Sequence, residues 1–410
     1  MAAAVVGAMA ASEAMAKVMA DAKAKTKQKR YQDPIHAALS DPSRLCIKES
    51  LLDKDLVMYD KRYVGKVRDT YVCDDAIVLV TTDRQSAFDR QLATVPFKGA
   101  VLNQTSAWWF EKTRHIAPNH LLGSPHPNVS VGKKCQVFPI EFVMRGFVTG
   151  TTSTSIWKNY EKGVRKYCGH DLPDGMKKNQ ILPANLLTPT TKDAVHDELI
   201  SAEEAVSSGR MSQDDWDECS RLAHELFLFG QKTALERGLI LVDTKYELGK
   251  DCEGNILLVD EIHTPDSSRY WIEWVPRFEG GHFFLLLMVS MKLDRRVGWA
   301  GQQSKRIDTP KGRADRQETY QANMAAGREP ENVDKEFLRR WFTEHCDPYK
   351  GEKIPDAPND LVAELSRRYI MLYEIITGQD FVFPSPDGPP VDERMSTAVS
   401  EFLKATSSGR

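Results

Sequence analysis

Two β-rich runs that each end on an aspartate place the strongest constraint on how this chain can fold. They are Leu239–Asp243 and Ile256–Asp260, and a turn bounded by glycines at 249 and 254 lies between them. Such runs around a glycine-bounded turn predict a β-hairpin. If the two runs pair directly, residues just past the first cannot lie opposite the end of the second. Bringing Glu247 beside Asp260 therefore needs a longer ladder or a bend.

The remaining elements come in blocks. Strand patterns cover Tyr71–Val80 and Cys135–Met144, whereas helical spacing covers Ala202–Glu236 and Asp334–Thr377 before the proline-rich segment Phe381–Val391. A doubly wound fold would alternate strands with helices. The pattern instead predicts an α+β protein with antiparallel sheets and C-terminal helices.

Composition excludes several classes of protein. The net charge is −3, so there is no basic excess to hold a nucleic-acid backbone. The longest apolar run, Phe283–Val289, is far shorter than the ~20 residues that a membrane-spanning helix needs. Seven dispersed cysteines without CxxC spacing argue against a cysteine zinc site and indicate reduced thiols. We therefore expect a soluble intracellular protein.

The N-terminal segment leaves the compartment open. It is alanine-rich and ends in a basic cluster, as organelle transit segments can, but Glu13 and Asp21 are acidic and serine is scarce. The plastid stroma and the cytoplasm both remain open.

A glycine followed by cations occupies the segment Gly65–Asp69. Glycine lets the backbone approach phosphate oxygens, and Lys66 and Arg68 would neutralise them. The segment lacks the length and ending of a Walker loop, so a solvated turn is the alternative.

Alternation along a strand places Asp243, Lys245 and Glu247 on one face. Carboxylates and an amine that converge beside Asp260 would suit Mg²⁺, which binds few carboxylates together with phosphate oxygens and water. A surface strand with an internal ion pair is the alternative interpretation.

Segments dense in hydroxyls and arginine follow the pattern of anion-binding loops. They are Thr264–Arg269, Arg145–Ser153 and, closing the first hairpin, Thr82–Asp89. Each could hold a phosphate or a carboxylate through charge-assisted hydrogen bonds. Each is also compatible with a capped turn. No Gly-x-Ser-x-Gly or His-Glu-x-x-His motif supports a serine hydrolase or a zincin.

In this order, these segments resemble the SAICAR synthetase family, most closely its plant-like eukaryotic form. The matching segments are Gly65–Asp69, Thr82–Asp89, Pro96–Asn103, Glu141–Gly146, Leu187–Lys192 with His196 and Asp197, Val242–Glu247, Val259–Arg269 and Glu329–Lys335. The resemblance implies a two-lobed fold with a nucleotide lobe like that of kinases and ATP-grasp proteins. It implies a ligase that joins carboxyaminoimidazole ribonucleotide to L-aspartate, using ATP and Mg²⁺. Phosphoryl transfer depends on positioning and charge neutralisation, which fits a site without a catalytic cysteine or serine.

The resemblance also implies a role for individual residues. The catalytic pair would be Asp243 and Lys245, and the metal ligands Glu247 and Asp260. ATP would contact Gly65, Lys66, Val67, Arg68, Glu141, Val143 and Lys245. The substrates would contact Asp83, Arg84, Ser86, Arg145, Thr151, Lys192, His196, Asp197, Asp243, Ser268 and Arg269. At position 151 the family usually carries serine, but threonine keeps the hydroxyl.

Composition and the resemblance together divide the chain into five regions. We expect a poorly ordered leader over 1–55, with one short helix and with order beginning near Tyr63, and a nucleotide-binding β lobe over 56–141. An α+β lobe for substrate and metal would cover 142–272, and a C-terminal helical region 313–410. Residues 273–312 form an insert that departs from the family, either a lineage-specific loop or a translated intron. We expect the insert not to pack on the ligase core.

The alternative function is a non-catalytic ATP-binding protein on the same fold. Retention of Asp243, Lys245, Glu247, Asp260 and Arg269 favours the ligase, because a protein without catalysis does not need every charged group. A protein kinase is excluded because its His-Arg-Asp and Asp-Phe-Gly segments are absent. The partners implied are small-molecule substrates, with neither nucleic acid nor membrane, and the oligomeric state is left open.

Overall fold

The computed structural model describes residues 30–88, 90–192, 198–273, 320–330, 332, 336–348, 354–385 and 389–407. The helices are α1 (described from residue 30 to 40), α2 (Pro42–Leu45), α3 (Lys98–Lys112), α4 (Ile156–Glu161), α5 (Ala202–Ser207), α6 (Gln213–Glu236), α7 (Tyr320–Ala325), α8 (Glu336–His345), α9 (Asn359–Thr377) and α10 (Val391–Ser407). The strands are β1 (Lys61–Val64), β2 (Arg68–Val72), β3 (Ala76–Thr81), β4 (Arg84–Ala87), β5 (Arg90–Thr94), β6 (Leu121–His126), β7 (Val129–Lys133), β8 (Gln136–Val137), β9 (Ile140–Phe147), β10 (Lys166–Tyr167), β11 (His170–Asp171), β12 (Ile181–Leu187), β13 (Thr190–Thr191), β14 (Leu239–Lys250), β15 (Ile256–Val259) and β16 (Ser268–Ile272).

The first large sheet is antiparallel and has the order β1-β2-β3-β7-β6. The predicted hairpin over Tyr71–Val80 is confirmed, since β2 pairs with β3 across the acidic turn. Alternating apolar residues of the sheet bury one face against α10; these are Tyr71, Val78, Val80, Val129 and Val131, with Met395 and Val399 on the helix. This sheet carries the Gly65–Asp69 segment at the junction of β1 and β2.

The second large sheet is organised around the 12-residue strand β14. Its path runs β12-β9-β14-β15, and β8 and β16 also pair with β14. The predicted strand ended at Asp243, but pairing continues to Lys250 and sets Glu247 opposite Val259. The ladder is therefore long enough to bring Glu247 beside Asp260.

Strand β9 crosses the predicted boundary between residues 141 and 142. Phe142 pairs with Tyr246 and Arg145 pairs with Asp243, so this stretch is a central strand of the second sheet. Helix α6 covers the sheet and buries Leu222, Ala223 and Leu226 in the largest core cluster. The prediction of an α+β fold with antiparallel sheets is confirmed. No helix in the described part of the chain is long and apolar enough to cross a membrane.

Ordered structure begins earlier than the sequence indicated. Tyr31, Ile35 and Ala38 of α1 are buried in the cluster that contains Phe342 and Tyr369. These three residues follow helical i, i+4 and i+7 spacing, a signal that the alanine- and lysine-rich composition obscured. The prediction that order begins near Tyr63 is therefore wrong for residues 30–62. Residues 1–29 lie outside the described part.

The C-terminal region differs from the prediction in one respect. The helix expected over Asp334–Thr377 is divided into α8 and α9, and Pro355 and Pro358 precede α9. Proline lacks the backbone N–H that a helix interior needs, so it ends helices. Of the insert, only Glu273 is described; it is buried, and its N–H donates to the Gly238 carbonyl at 3.0 Å. The prediction about residues 274–312 falls outside the described residues.

His126, at the end of β6, makes the free energy of unfolding depend on pH. Nδ1 of His126 accepts a hydrogen bond of 3.2 Å from the Asn128 N–H, and burial lowers the pKa of His126 to about 4. An unfolded histidine has a pKa near 6.5, so on acidification the unfolded chain binds the proton first. This contribution to the free energy of unfolding is complete above about pH 6.5 and is lost as pH falls towards 4.

We expect His126 to account for a loss of about 2 kcal/mol between pH 7 and pH 5. Urea unfolding at both pH values would measure the loss. His126→Asn keeps a hydrogen-bond acceptor without a titrating group, so its stability should fall less over the same interval. Equal losses in the variant and the unmodified chain would contradict this assignment.

Candidate active site

Alternation along β14 brings Asp243, Lys245 and Glu247 to one face, as predicted. Lys245 Nζ lies 2.5 Å from Glu247 Oε1 and 3.0 Å from Glu141 Oε1 on the neighbouring strand β9. Asp260 Oδ2 is 3.8 Å from the same nitrogen. Burial alone would lower the pKa of Lys245, but Glu247 and Glu141 hold it well above its usual value. The lysine is therefore a fixed positive charge among carboxylates.

Glu247 is ionised in this setting. Burial opposes its charge, yet Lys245 and Lys192 together lower the pKa of Glu247 to about 2. Lys192 Nζ donates to Glu247 Oε2, so Lys192 belongs to this cluster although a substrate contact was predicted for it. Near neutral pH, Glu247 therefore stays negatively charged and Lys245 stays positively charged.

Arg68 joins the first sheet to the end of β15. Its guanidinium lies 2.7 Å from Asp260 and 2.5 Å from Glu261. Asp260 itself has a left-handed backbone with φ of 63° just after β15, which turns the chain towards Arg68. Burial raises the pKa of Asp260, Arg68 opposes the rise, and repulsion from Glu247 adds to it.

The carboxylates fit a divalent cation. Glu247 and Asp260 both approach Lys245, and the repulsion between them is the kind of crowding that a metal ion relieves. Mg²⁺ usually takes one or two protein carboxylates and completes its shell with phosphate oxygens and water. Within the described ranges no group of three or more histidine, cysteine, aspartate or glutamate side chains forms a complete metal cage. Glu247 and Asp260 alone would leave most of such a shell to phosphate oxygens and water.

A cavity of about 170 Å³ opens beside this cluster, and Lys245 lines it. The other lining residues are Val143, Arg145, Asp243, Thr244, Asp266, Ser267, Ser268, Arg269, Glu336 and Arg339. Four of the lining side chains are lysine or arginine, with hydroxyls between them. Such a wall is suited to phosphate and carboxylate groups.

Two arginines converge on Asp243 in this cavity. Arg269 lies 2.6 Å from the Asp243 carboxylate and Arg145 lies 3.7 Å from it. Arg145 also donates from Nε to Thr188 Oγ1 at 2.8 Å and from a terminal nitrogen to the Thr154 carbonyl at 3.1 Å. Both guanidinium groups are thereby held in fixed orientations at the cavity wall.

The Gly65 turn is supported from below by Arg84. An added Cβ at Gly65 would lie 2.6 Å from the Arg68 carbonyl oxygen, so only glycine fits this close approach. The buried Arg84 donates to the carbonyls of Lys48 and Gly65 and pairs with Asp69 at 2.6 Å. The structure thus places Arg84 beneath the turn, not in the cavity, and Lys66 is exposed above it.

Other predicted substrate residues have partners within the protein. Asp83 accepts hydrogen bonds from the N–H groups of Ile47 and Gly99, both at 2.8 Å, which ties α3 to the N-terminal segment. Ser86 donates to the Arg90 carbonyl at 3.1 Å. The contacts described for Asp83, Arg84 and Ser86 are with protein groups, so their substrate roles stay predictions. Polar residues in a hydroxyl-rich segment look alike in sequence, whether their partners are backbone or ligand.

The remaining predicted residues divide as follows. Thr151 is exposed and donates to Glu336 at 3.3 Å, Ser268 contacts Thr244 at 2.8 Å, and Val143 pairs with Lys245 across β9 and β14. His196 and Asp197 lie outside the described residues.

Sequence reasoning missed several residues that line or support the cavity. Glu336 and Arg339 come from α8, and Asp266 is held by the fully buried Lys98 at 3.1 Å. Lys98 stood in a segment that matched the family pattern, which was a usable signal. Glu336 and Arg339 come just after the matching segment Glu329–Lys335, and the resemblance runs on to about residue 377, but α8 contains several charged residues and nothing in the sequence marks which of them face the cavity.

Comparisons with known proteins identify the family of this chain. The profile of the family described as SAICAR synthetase matches residues 61–276. A phosphoribosylaminoimidazole-succinocarboxamide synthase from Legionella pneumophila (strain Lens) is 50% identical over 358 residues, which are 87% of this chain and 99% of that protein. The chloroplastic phosphoribosylaminoimidazole-succinocarboxamide synthase from Arabidopsis thaliana is 49% identical over 368 residues, covering 90% of this chain and 78% of the plant protein.

A solved structure extends the similarity to the fold. The SAICAR synthase from Saccharomyces cerevisiae, complexed with SAICAR, superposes with a TM-score of 0.60 at 27% identity. The match covers 82% of this chain and 99% of the yeast chain. The family profile spans both Gly65–Asp69 and the Asp243–Asp260 region, which carry the charged cluster described above. This chain belongs to the SAICAR synthetase family.

Proposed function

We propose that this chain joins the carboxylate of carboxyaminoimidazole ribonucleotide to the amine of L-aspartate, with conversion of ATP to ADP and phosphate. The observation that carries the proposal is the position of Lys245. Its side chain pairs with Glu247 and lies near Asp260, and it also lines the cavity that contains Arg145 and Arg269. A nucleotide phosphate at the charged cluster would therefore meet a substrate carboxylate in the cavity at this lysine.

The first chemical step makes the carboxylate reactive. A carboxylate oxygen of the ribonucleotide attacks the γ-phosphorus of ATP, the bond to the β–γ bridging oxygen breaks, and ADP leaves with that electron pair. Lys245 neutralises charge on the transferred group, while Arg68 and the Gly65 turn orient the phosphates. Phosphoryl transfer depends mainly on such positioning and charge stabilisation.

The second step forms the amide. The aspartate amine, as its free base, attacks the carbonyl carbon of the acyl phosphate. A C–N bond forms, inorganic phosphate leaves with its bridging oxygen, and the nitrogen loses a proton. Arg145, Ser268 and Arg269 would hold the ribonucleotide through its phosphate, and Asp243 would lie near its imidazole.

Mg²⁺ would be held by Glu247 and Asp260. When bound, it would neutralise charge on the phosphates of ATP. The protein residues have the same roles when Mg²⁺ is bound. Lys245 and Arg68 orient the nucleotide, and Arg145 and Arg269 orient the ribonucleotide. The compartment, plastid stroma or cytoplasm, stays a prediction.

ADP release tests the proposed function against the alternative of an ATP-binding protein without catalysis. We expect ADP to be released only when ATP, Mg²⁺, the ribonucleotide and L-aspartate are all present. Omission of either co-substrate serves as the control. ATP binding without ADP release in the complete mixture would favour the non-catalytic alternative.

Substrate anchoring gives a sharper prediction at Arg269. Arg269→Lys keeps the charge but loses the planar fork, and charge-assisted bonds of this kind contribute about 1.5–3 kcal/mol. We expect KM for the ribonucleotide to rise about 10- to 100-fold, with KM for ATP nearly unchanged. Steady-state kinetics with each substrate varied in turn would measure this.

Arg221→Lys is the matched control, because Arg221 lies on the solvent-exposed face of α6 and pairs with Glu218 at 2.7 Å. It should leave both KM values unchanged. An equal rise in KM for ATP and the ribonucleotide in Arg269→Lys would contradict the assignment of Arg269 to the ribonucleotide.

A further inference from the structure

Helix α8 contributes a cation to the cavity that the proposed roles leave unused. Arg339 lines the cavity, and its side chain is 15% exposed. Its guanidinium lies over the Phe88 ring, with 5.2 Å between the central carbon and the ring centroid. The side chain is thus held between an aromatic surface and the cavity.

The hydrogen-bonding capacity of Arg339 is incompletely used. Nε is buried and has no hydrogen-bond partner, and a terminal nitrogen lies 3.5 Å from Glu336, too far for a strong ion pair. A guanidinium carries five N–H donors in a fixed fork that matches a carboxylate. A buried donor without a partner is costly, so this arrangement is suited to receive a ligand oxygen.

The surrounding charges indicate which ligand. Arg145 and Arg269 lie together on the strand side with Asp243, whereas Arg339 lies beside Glu336 on a helix, and Asp266 also lines the cavity. A phosphate dianion is matched better by the two arginines that share the one carboxylate of Asp243 than by Arg339, whose part of the wall carries two carboxylates. An amino acid carries a carboxylate and an ammonium together, so a cation flanked by acids matches it.

We propose that Arg339 binds a carboxylate of the amino-acid substrate and so selects a dicarboxylic amino acid. This inference rests on the proposed function, because it assigns the second substrate of that same reaction. It gives the C-terminal region a part in the site. Thr151 donates to Glu336 at 3.3 Å, which links α8 to the loop that follows β9.

The adjacent residue supplies a matched control. Arg340 is 67% exposed on the same helix and lies 3.7 Å from Glu344. We expect Arg339→Met to raise KM for L-aspartate about 10- to 100-fold, equal to about 1.4–2.8 kcal/mol at 1.4 kcal/mol per tenfold. KM for the ribonucleotide and ATP should stay within about twofold, and Arg340→Met should behave like the unmodified chain.

Selectivity between amino acids gives a readout that general damage would not produce. The preference for L-aspartate over L-alanine, measured as the ratio of kcat/KM values, should fall at least about tenfold in Arg339→Met and stay unchanged in Arg340→Met. If Arg339→Met does not fold, Arg339→Lys keeps the charge and should still show a raised KM for L-aspartate.

The outcomes separate this inference from the proposed function. An unmodified chain that forms no amide from L-aspartate would overturn both. An active chain whose Arg339 variants keep the KM and the selectivity for L-aspartate would overturn the inference alone. A raised KM for the ribonucleotide instead would place its phosphate at Arg339 and would also overturn it.

Discussion

Replacing Lys245 with methionine is expected to lower kcat for amide formation at least about 10³-fold, the largest effect of any single substitution considered. Lys245 Nζ lies 2.5 Å from Glu247 and 3.0 Å from Glu141, and the side chain lines the cavity. In the described part of the chain, no other side chain both pairs with the carboxylates of Glu141 and Glu247 and lines the cavity. Its loss removes the cation expected to stabilise the transferred phosphoryl group.

The same substitution should also reduce stability. Breaking a fully buried ion pair costs about 3–5 kcal/mol, and the loss here should lie below that range because the Lys245 side chain is 27% exposed while Glu247 is buried. Glu247 would keep Lys192 as a partner, which limits the damage. Lys245→Arg retains the charge, so it should recover most of the stability while kcat stays low, because the bulkier guanidinium cannot occupy the same position.

Lys250→Met is the control for the Lys245 variants. Lys250 is at the end of the same strand and pairs with Asp215 at 2.7 Å on the surface. We expect its kcat to equal that of the unmodified chain. Turnover by Lys245→Met within tenfold of normal, measured by ADP release on folded protein, would contradict the central role of Lys245.

Replacing Asp260 with alanine should lower kcat about 10²- to 10³-fold even at saturating Mg²⁺. Asp260 lies 3.8 Å from Lys245 and 2.7 Å from Arg68, so it joins the start of β2 to the carboxylate cluster. Arg68 would still pair with Glu261 at 2.5 Å, and we therefore expect the chain to stay folded. A loss of kcat of about 10²–10³-fold would match the removal of one preorganised charged group.

A structural aspartate in the same hairpin provides the comparison for Asp260. Asp251 accepts hydrogen bonds from the N–H groups of Glu253 and Asn255 in the turn between β14 and β15. Asp251→Ala should lower the free energy of unfolding but leave kcat at saturating substrate unchanged. Near-normal turnover in Asp260→Ala would remove Asp260 from the metal site.

The alternation of side chains and the turn residues predicted strand β14 but not its length. Asp243, Lys245 and Glu247 share a face because strand side chains alternate, and this could be predicted without a structure. Asp260 reaches these three residues because β14 continues to Lys250. Polar residues along the strand hid this extra length in the sequence. Pairing partners distant in sequence, here β9 and β16, decide where such a strand ends.

Residue type alone could not separate the groups that line the cavity from those that bind the backbone. Arg84 and Arg145 both follow strand patterns, yet Arg84 binds the backbone under the Gly65 turn and Arg145 lines the cavity. Arg339 and Arg340 are adjacent, and only the orientation of α8 distinguishes the buried one from the exposed one. Tertiary packing determines these differences, so they became visible only in the folded chain.

The fate of one carboxylate oxygen atom tests most directly whether the amide forms through an acyl phosphate. The ribonucleotide would be labelled with ¹⁸O in its carboxylate and supplied with ATP, Mg²⁺ and L-aspartate, and the released phosphate would be analysed by mass spectrometry. We predict that amide forms and that each phosphate carries one oxygen from the carboxylate, since that oxygen bridges carbon and phosphorus in the acyl phosphate. Phosphate without label, or ADP release without amide, would contradict ligation through an activated carboxylate at this cavity.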